Sequence, residues 1–233
     1  MQEIYTRTEA VLGADNVQSL RGKCVMVFGV GGVGSFAVEG LARAGVGKLA
    51  LVDPDVVAES NINRQIQAFP DTVGIIKAEA LAARVRRINP LTEVAVLPVF
   101  ATEENLPGLI MPCDYIVDAL DTVATKIALA AYATSHGIPF ISSMGMANKL
   151  HPEQITINGL YSTKVCPLAR VMRAECKKRG IPDFPVVFSP EPPVPPQAAM
   201  EDGRPVLGSV SFVPSVAGLV IAGRVVRNLC CMD

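Results

Sequence analysis

Three glycines near the start of the chain have the spacing of a phosphate-binding loop. Gly29, Gly31 and Gly34 follow an apolar run at residues 25–28 and precede an apolar segment at residues 36–44. The G-x-G-x-x-G spacing lets a backbone turn tightly and approach a phosphate group closely. The N-terminus of the helix predicted behind the loop offers free N–H groups and a positive dipole end to an anion. The pattern therefore predicts a strand, a phosphate-binding turn and a helix.

An acidic residue stands where a unit of this kind binds a ribose. Residues 48–52 form a short apolar run that predicts a second strand, and Asp53 follows it directly. An acid at the end of the second strand of a βαβ unit binds ribose hydroxyls. Glycines that serve packing alone are the alternative, and the strand, helix and acid together weigh against it. The motif by itself does not distinguish NAD, FAD, S-adenosylmethionine and ATP.

Two cations and a further carboxylate favour a triphosphate ligand. A triphosphate that is being cleaved needs cations near its β and γ groups and usually a metal ion. Arg64 and Lys77 follow the strand that ends at Asp53, so both can reach the nucleotide, although surface charges are the simpler alternative. Asp121 ends the fourth predicted strand, at the sheet edge where ligands bind, and a carboxylate facing a triphosphate is a natural Mg²⁺ ligand. Asp118, within that strand, is the competing candidate.

Five segments together resemble the ubiquitin-activating-enzyme-like adenylating superfamily. The similarity extends over residues 7–143. It lies in Gly29-Val30-Gly31-Gly32-Val33-Gly34, Asp53-Pro54-Asp55, Ser60-Asn61-Ile62-Asn63-Arg64-Gln65, Val73-Gly74-Ile75-Ile76-Lys77 and Asp118-Ala119-Leu120-Asp121. Members of this superfamily adenylate a carboxylate with Mg-ATP and release pyrophosphate. The resemblance therefore implies an enzyme that uses ATP and Mg²⁺.

The same resemblance implies a role for each matching residue. Gly31 lies against the nucleotide, Asp53 holds the ribose and Asp121 binds the metal ion. Arg7 matches an arginine that family members insert into the ATP site of the partner subunit, which implies a homodimer. The implied phosphate ligands are Ser60, Asn61, Arg64 and Lys77. The implied catalytic residues are Arg7, Arg64, Lys77 and Asp121. The whole predicted nucleotide site is Gly29, Gly31, Gly32, Gly34, Asp53, Asp55, Ser60, Asn61, Asn63, Arg64, Lys77, Asp121 and Thr122.

Within the superfamily the chain resembles the tRNA threonylcarbamoyladenosine dehydratases. The similarity lies at residues 61–66, 163–170 and 187–193. That family uses ATP to activate the threonyl carboxylate of a modified adenosine beside the anticodon, and loss of water then closes a cyclic product. The resemblance therefore implies a tRNA substrate.

Two other functions stay open. One is an adenylyltransferase that activates the C-terminal glycine of a ubiquitin-like sulfur-carrier protein, with a carrier or a cysteine-desulfurase-type protein as partner. Relatives of that kind often have paired C-x-x-C zinc motifs, and no C-x-x-C pair occurs in this chain, which favours the dehydratase. The other is a non-catalytic nucleotide-binding module or an NAD-dependent oxidoreductase.

A basic segment is the candidate contact for tRNA. Residues 164–179 contain six basic side chains and one acid, in a chain whose formal net charge is −1. Arg170, Arg173 and Lys177 have helical spacing and would share one helix face. Such faces are usually only solvated, but this local excess of positive charge is the best candidate for binding phosphates.

The remaining composition indicates a cytoplasmic protein. No signal peptide is recognisable in the polar first fifteen residues, and no uninterrupted apolar run is long enough to span a bilayer. The six cysteines are expected to be reduced thiols. Cys166 is a candidate nucleophile for a thioester, but its position before Pro167 favours a structural role. The only histidines, His136 and His151, form no recognisable triad with a nucleophile.

Hydrophobic periodicity predicts the elements that position these residues. Strands are predicted at residues 25–28, 48–52, 93–99, 115–119, 139–142 and 154–160. Helices are predicted at residues 36–44, 73–88, 102–109, 122–136 and 166–179. Their alternation implies a Rossmann-like α/β fold with a mostly parallel sheet and helices on both faces. The proline-rich residues 190–196 exclude a regular helix or a central strand, and residues 208–229 predict a core helix or an oligomer face.

We expect a single adenylating domain over residues 1–233. Residues 1–22 form a polar lead-in with helical patches, and residues 23–145 form the nucleotide-binding core. Residues 146–233 form a C-terminal extension that serves the substrate and the dimer.

Overall fold

A seven-stranded sheet is the centre of the fold in a computed structural model, which describes residues 2–195, 200–201, 204–205 and 207–232. Its strands are β1 (Cys24–Phe28), β2 (Lys48–Val52), β3 (Glu93–Leu97), β4 (Tyr115–Asp118), β5 (Phe140–Ser143), β6 (Thr156–Gly159) and β7 (Pro185–Phe188). Their order is β3-β2-β1-β4-β5-β7-β6. All neighbours are parallel except β6, which pairs antiparallel with β7. Two short strands, β8 (Met200–Glu201) and β9 (Arg204–Pro205), pair separately.

Helices cover both faces of this sheet. They are α1 (Thr6–Leu12), α2 (Ala14–Leu20), α3 (Gly34–Ala44), α4 (Lys77–Ile88), α5 (Leu106–Leu109), α6 (Val123–Ser135), α7 (Pro167–Lys178) and α8 (Phe212–Leu229). Val25 and Val27 of β1 pack in one core with α3, α4 and α8, and Met26 and Phe28 pack in the other with α6 and α7. This alternation follows from the two-residue period of a strand. The prediction of a Rossmann-like α/β fold is confirmed.

The C-terminal part of the chain is built into the same sheet and core. It supplies β6 and β7 at one edge and α8 on the α3 face. A Cβ at Gly218 would lie 2.3 Å from the Val33 carbonyl oxygen, and one at Gly40 would lie 2.6 Å from the Ala222 side chain. Small residues therefore let α3 and α8 cross in close contact.

Helix α8 is a core helix. Among the described residues, α8 is the one helix that is long and apolar enough to cross a membrane. Its mean hydropathy over 18 residues is 1.3. Val213, Ala217, Ile221 and Val225 are fully buried along one face of it. Residues 208–229 were expected to form a core helix or an oligomer face, and this packing supports the core helix.

The structure corrects several predicted element boundaries. Helix α4 begins at Lys77, so the helix predicted from residue 73 is wrong in its first turn. Gly74 adopts φ +86°, a conformation that favours glycine, and Ile76 makes an antiparallel bridge with Val56. Strand β3 and helix α5 are shorter than predicted, and β7 was not predicted. Residues 190–195 lack regular structure, as expected from their prolines, and Pro196 lies outside the described residues.

Candidate active site

A cavity of about 820 Å³ lies along the carboxyl edge of the sheet. It follows the ends of four strands in the order β2, β1, β4 and β5. Between β1 and β4 the strand order reverses, because β1 is followed in the chain by β2 on its other side. Open α/β sheets bind ligands at such a point. The volume suits a nucleotide with a second ligand beside it.

The glycine loop forms the floor of the cavity between β1 and α3. Gly29 has φ +82°, and a Cβ there would lie 2.7 Å from the Ala119 carbonyl oxygen. A Cβ at Gly34 would lie 1.8 Å from the Gly29 carbonyl oxygen. Neither position has room for a side chain, so both glycines hold the turn closed. Gly31 and Gly32 border the cavity, where a phosphate group would approach them.

Asp53 is fixed at the end of β2 by the backbone around it. Its Oδ2 accepts a hydrogen bond from the Val30 amide at 2.8 Å, and its Oδ1 accepts one from the Asp55 amide at 3.0 Å. Burial raises the pKa of the Asp53 carboxyl above its ordinary value, against the opposing effect of these two bonds. The carboxylate thus couples the glycine loop to the turn after β2. Its remaining lone pairs can accept bonds from ribose hydroxyls.

Two cations border the cavity near Asp53. Lys77 is the first residue of α4, and its Nζ lies 2.7 Å from the exposed carboxylate of Asp55. The Arg64 Nη1 donates to the Ser60 carbonyl oxygen at 2.8 Å and to the Asn63 Oδ1 at 2.9 Å. Both cations are thereby held at the cavity wall, where they can bind phosphate oxygens.

Asp121 and Asp118 have different environments. Asp118 is fully buried, and its Oδ2 accepts hydrogen bonds from Lys126 Nζ at 2.8 Å and Ser142 Oγ at 2.5 Å. Asp121 is exposed and borders the cavity. No group of three or more metal-ligating side chains occurs within the described residues. One carboxylate together with nucleotide phosphates is nevertheless a common way to hold Mg²⁺, and Asp121 fits that arrangement.

The structure brings most of the predicted nucleotide-binding residues to this cavity. Those that line it are Gly29, Gly31, Gly32, Asp53, Asp55, Asn61, Arg64, Lys77, Asp121 and Thr122. Gly34 does not line it and acts through packing. Ser60 and Asn63 do not line it either, but they hold Arg64 in place. Arg7 is exposed on α1 and does not line the cavity of its own chain.

Several residues at the cavity were not predicted from the sequence. They include Gln65, residues 99–101, Ser143, the loop at 144–149, Cys166, Pro167, Leu168, Pro193, Leu207, Ser209 and Pro214. The loop at 144–149 follows β5 at the carboxyl edge, so its position in the strand order was a usable signal. Leu207, Ser209 and Pro214 reach the cavity because the C-terminal part folds back over the glycine loop. No local pattern in the sequence indicates this fold-back.

The basic helix α7 begins at the cavity wall. Cys166, Pro167 and Leu168 at its start line the cavity, and its basic residues follow. Arg170 is exposed, whereas Arg173 donates to Thr163 Oγ1 at 2.5 Å. The Lys177 Nζ lies 5.2 Å from the centre of the Tyr161 ring. Of the three predicted tRNA contacts, Arg170 and Lys177 are therefore exposed, whereas Arg173 is half-buried.

Comparisons with known proteins identify relatives along the whole chain. The model of the ThiF family matches residues 5–232. The tRNA threonylcarbamoyladenosine dehydratase of Bacillus subtilis is 41% identical over 241 residues, which cover 97% of this chain and 94% of that protein. The crystal structure of E. coli tRNA N6-threonylcarbamoyladenosine dehydratase, TcdA, in complex with AMP has a TM-score of 0.92 and 34% identity, covering 99% of this chain and 95% of that one.

A second crystal structure of the E. coli enzyme, in complex with ATP, has a TM-score of 0.90 and 33% identity over the same shares of both chains. The match includes the C-terminal part that closes over the glycine loop, as well as the nucleotide-binding motifs. With its family model matched from residue 5 to residue 232, the chain belongs to the ThiF family.

Proposed function

We propose that this chain is an ATP-dependent tRNA threonylcarbamoyladenosine dehydratase. The observation that carries the proposal is one cavity that extends from Asp53, past the glycine loop and Asp121, to the loop after β5. It offers a nucleotide site and space for an acceptor beyond the phosphates. The similarity to named dehydratases over nearly the full length of both chains supports the same substrate.

The arrangement supports a two-step reaction. An oxygen of the threonyl carboxylate attacks the α-phosphorus of ATP, and pyrophosphate leaves, which gives an acyl adenylate. Arg64 and Lys77 bind the negative charge that develops on the leaving pyrophosphate. An atom of the carbamoyl group then attacks the acyl carbon, the bond from that carbon to the AMP oxygen breaks, and an N–H proton of the carbamoyl group is released. AMP carries away one carboxylate oxygen, so the product has lost the elements of water. Asp121 is positioned to hold Mg²⁺, which neutralises phosphate charge when it is bound.

The proposed enzyme is a cytoplasmic homodimer. Arg7 supports the dimer, because it is exposed on α1 and does not line the cavity of its own chain, so it is free to act in the site of a second copy. The cysteines support a reducing compartment, since all six are free thiols and four of them are buried. A sulfur-carrier or cysteine-desulfurase-type partner belongs to the alternative function.

Exchange of labelled pyrophosphate into ATP tests the function. We expect exchange only when tRNA that bears threonylcarbamoyladenosine is present, because the reverse of adenylation needs the acceptor. The control is the same tRNA without the modification. Exchange that requires a ubiquitin-like carrier protein would support the sulfur-carrier function instead. No exchange with either acceptor, together with tighter binding of NAD than of Mg-ATP, would contradict adenylation.

The basic helix predicts a salt dependence of tRNA binding. The logarithm of affinity should fall with the logarithm of salt by about 0.7 to 0.9 for each phosphate neutralised. Changing Arg170, Arg173 and Lys177 together to alanine should flatten that slope and weaken tRNA binding. The affinity for ATP should not change, because the glycine loop and Asp53 lie elsewhere on the cavity.

The measurement is tRNA affinity across a salt series for the wild type and the triple variant. A matched control changes the three exposed basic residues Arg21, Arg86 and Arg87, which lie on other elements, to alanine. Equal slopes for the wild type and the α7 variant would remove α7 from the interface.

A further inference from the structure

We propose that Lys149 binds the carboxylate of the acceptor in a subsite at the β5 end of the cavity. The inference rests on the proposed function and adds to it the residue that binds the acceptor carboxylate and the place in the cavity where this happens. The subsite lies between the loop that follows β5 and the start of α7. The residues of these two segments that line the cavity include Met144, Met146, Lys149, Cys166 and Leu168.

The order of groups along the cavity places the acceptor at this end. Asp53, at the end of β2, marks the ribose, and the glycine loop after β1 marks the phosphates. The carboxylate must reach the α-phosphorus on the side opposite the leaving pyrophosphate, which Arg64 and Lys77 bind. Beyond the glycine loop and β4, the space that remains in the cavity is the one beside the loop after β5.

Among the described residues, Lys149 is a buried cation that forms no ion pair with a carboxylate. Its residue is only 3% exposed, although it lines the cavity. In the part of the chain that the structure describes, its Nζ has one hydrogen-bond acceptor, the Glu191 carbonyl oxygen at 2.5 Å. The Glu191 carboxylate is used elsewhere, since it accepts bonds from the amides of Leu150 at 2.9 Å and His151 at 3.0 Å. An ammonium has three donors, so Lys149 keeps donors for a ligand.

Such a charge is costly to bury and gains most from an anion. Burial lowers the pKa of the Lys149 ammonium, and the Cys166 thiol and the Glu191 carboxylate oppose that effect. A carboxylate that enters the subsite supplies a counter-charge to an almost completely buried lysine, and a charge-assisted hydrogen bond is strong in such surroundings. Met144, Met146 and Leu168 add apolar residues to the cavity lining at this end.

The backbone holds Lys149 in a defined position. The preceding residue, Asn148, adopts φ +56°. Its amide donates to the Gly208 carbonyl oxygen at 2.8 Å, its Oδ1 accepts from the Gly208 amide at 2.7 Å, and its carbonyl oxygen accepts from the Val194 amide at 2.7 Å. Three hydrogen bonds therefore tie the loop to two other segments. A binding group on such a support is pre-organised for its ligand.

The test replaces Lys149 with methionine, which keeps the length and removes the charge, and with glutamine, which keeps a neutral donor. The control is Lys23→Met. Lys23 precedes β1 and forms an ion pair with Asp114, so it lies at the amino end of β1, whereas the cavity lies at the carboxyl end. For each variant, kcat/KM of tRNA-dependent pyrophosphate exchange, the dissociation constant of ATP and the melting temperature are measured. We expect Lys149→Met to lower kcat/KM for tRNA about 10- to 100-fold, the effect of losing one hydrogen bond to a charged group. Lys149→Gln should lose less, and ATP affinity should stay within about twofold of the wild type.

The pH dependence separates binding from a structural role. The carboxylate needs the charged form of Lys149, so KM for tRNA in the wild type should rise as pH increases through the lowered pKa of the ammonium. Among the described residues, Cys166 and Glu191 are the ionisable groups that act on it, and Cys166→Ser tests whether the thiol causes the same rise. In Lys149→Gln the rise should disappear, while it should persist in Cys166→Ser.

Three results would overturn the inference. One is a kcat/KM for tRNA in both Lys149 variants equal to that of the wild type. Another is a parallel loss of ATP affinity and melting temperature in both variants, which is the signature of a purely structural lysine. The third is the absence of any tRNA-dependent exchange in the wild-type protein. That result would overturn the proposed function as well, whereas the first two results would overturn only the role of Lys149.

Discussion

Asp121→Asn should lower the rate of adenylation by a factor of about ten to a thousand. Asparagine keeps the shape of the side chain but removes the charge that would hold Mg²⁺ against the phosphates. The exposed carboxylate at the end of β4 is well placed for this role, because the cavity beside it also contains the glycine loop, Arg64 and Lys77. The rate should be followed by pyrophosphate exchange across a magnesium series, where the half-saturating magnesium concentration should rise.

The matched control for this experiment is Asp71→Asn. Asp71 is an exposed carboxylate that does not line the cavity, so the same chemical change there should leave the rate unchanged. If Asp121→Asn turned over at the wild-type rate with unchanged magnesium dependence, the role would pass to Asp55. Asp55 is the other exposed carboxylate at the cavity, and it is paired with Lys77.

The sequence determines much of the site because the relevant positions are set locally. The glycine spacing, the acid after β2 and the carboxylate after β4 all follow strands that the hydrophobic pattern identifies. The parallel sheet then brings their ends to one edge. Asp118 and Asp121 show where such reasoning stops. Alternation placed Asp118 within the strand, but its partner Lys126 lies on the next helix, so only the three-dimensional fold shows that the pair is buried.

The burial of Lys149 at the β5 end of the cavity could not be predicted in the same way. Lys149 belongs to no motif, and its burial results from contacts with Glu191 and from the ties of Asn148 to Gly208. These partners lie about forty to sixty residues further along the chain, as the separations of 42 and 60 show. Helix α4 is a similar case, since the bridge between Val56 and Ile76 delays its start until Lys77. Non-local pairing decides each of these features.

Lys126→Met should destabilise the protein by about 3–5 kcal/mol, the usual effect of removing one partner from a buried ion pair. Lys126 and Asp118 both have fully buried side chains, and their charged atoms lie 2.8 Å apart. The Lys126 Nζ also donates to the carbonyl oxygens of Leu120 at 3.1 Å and Ser143 at 2.8 Å. For a chain of this length the melting temperature should fall by about 6–20 °C. Thermal unfolding of the ligand-free protein provides the measurement.

Two further variants identify the cause of this loss. Lys48→Met breaks a pair with the exposed Glu93 and should change the melting temperature little. The double variant Asp118→Asn with Lys126→Met removes both charges, so it should be more stable than Lys126→Met alone. If the double variant were no more stable, the uncompensated charge of Asp118 would not be the cause. The lost bonds to Leu120 and Ser143 would then explain the effect, since they join the ends of β4 and β5 that carry Asp121 and the loop of Lys149.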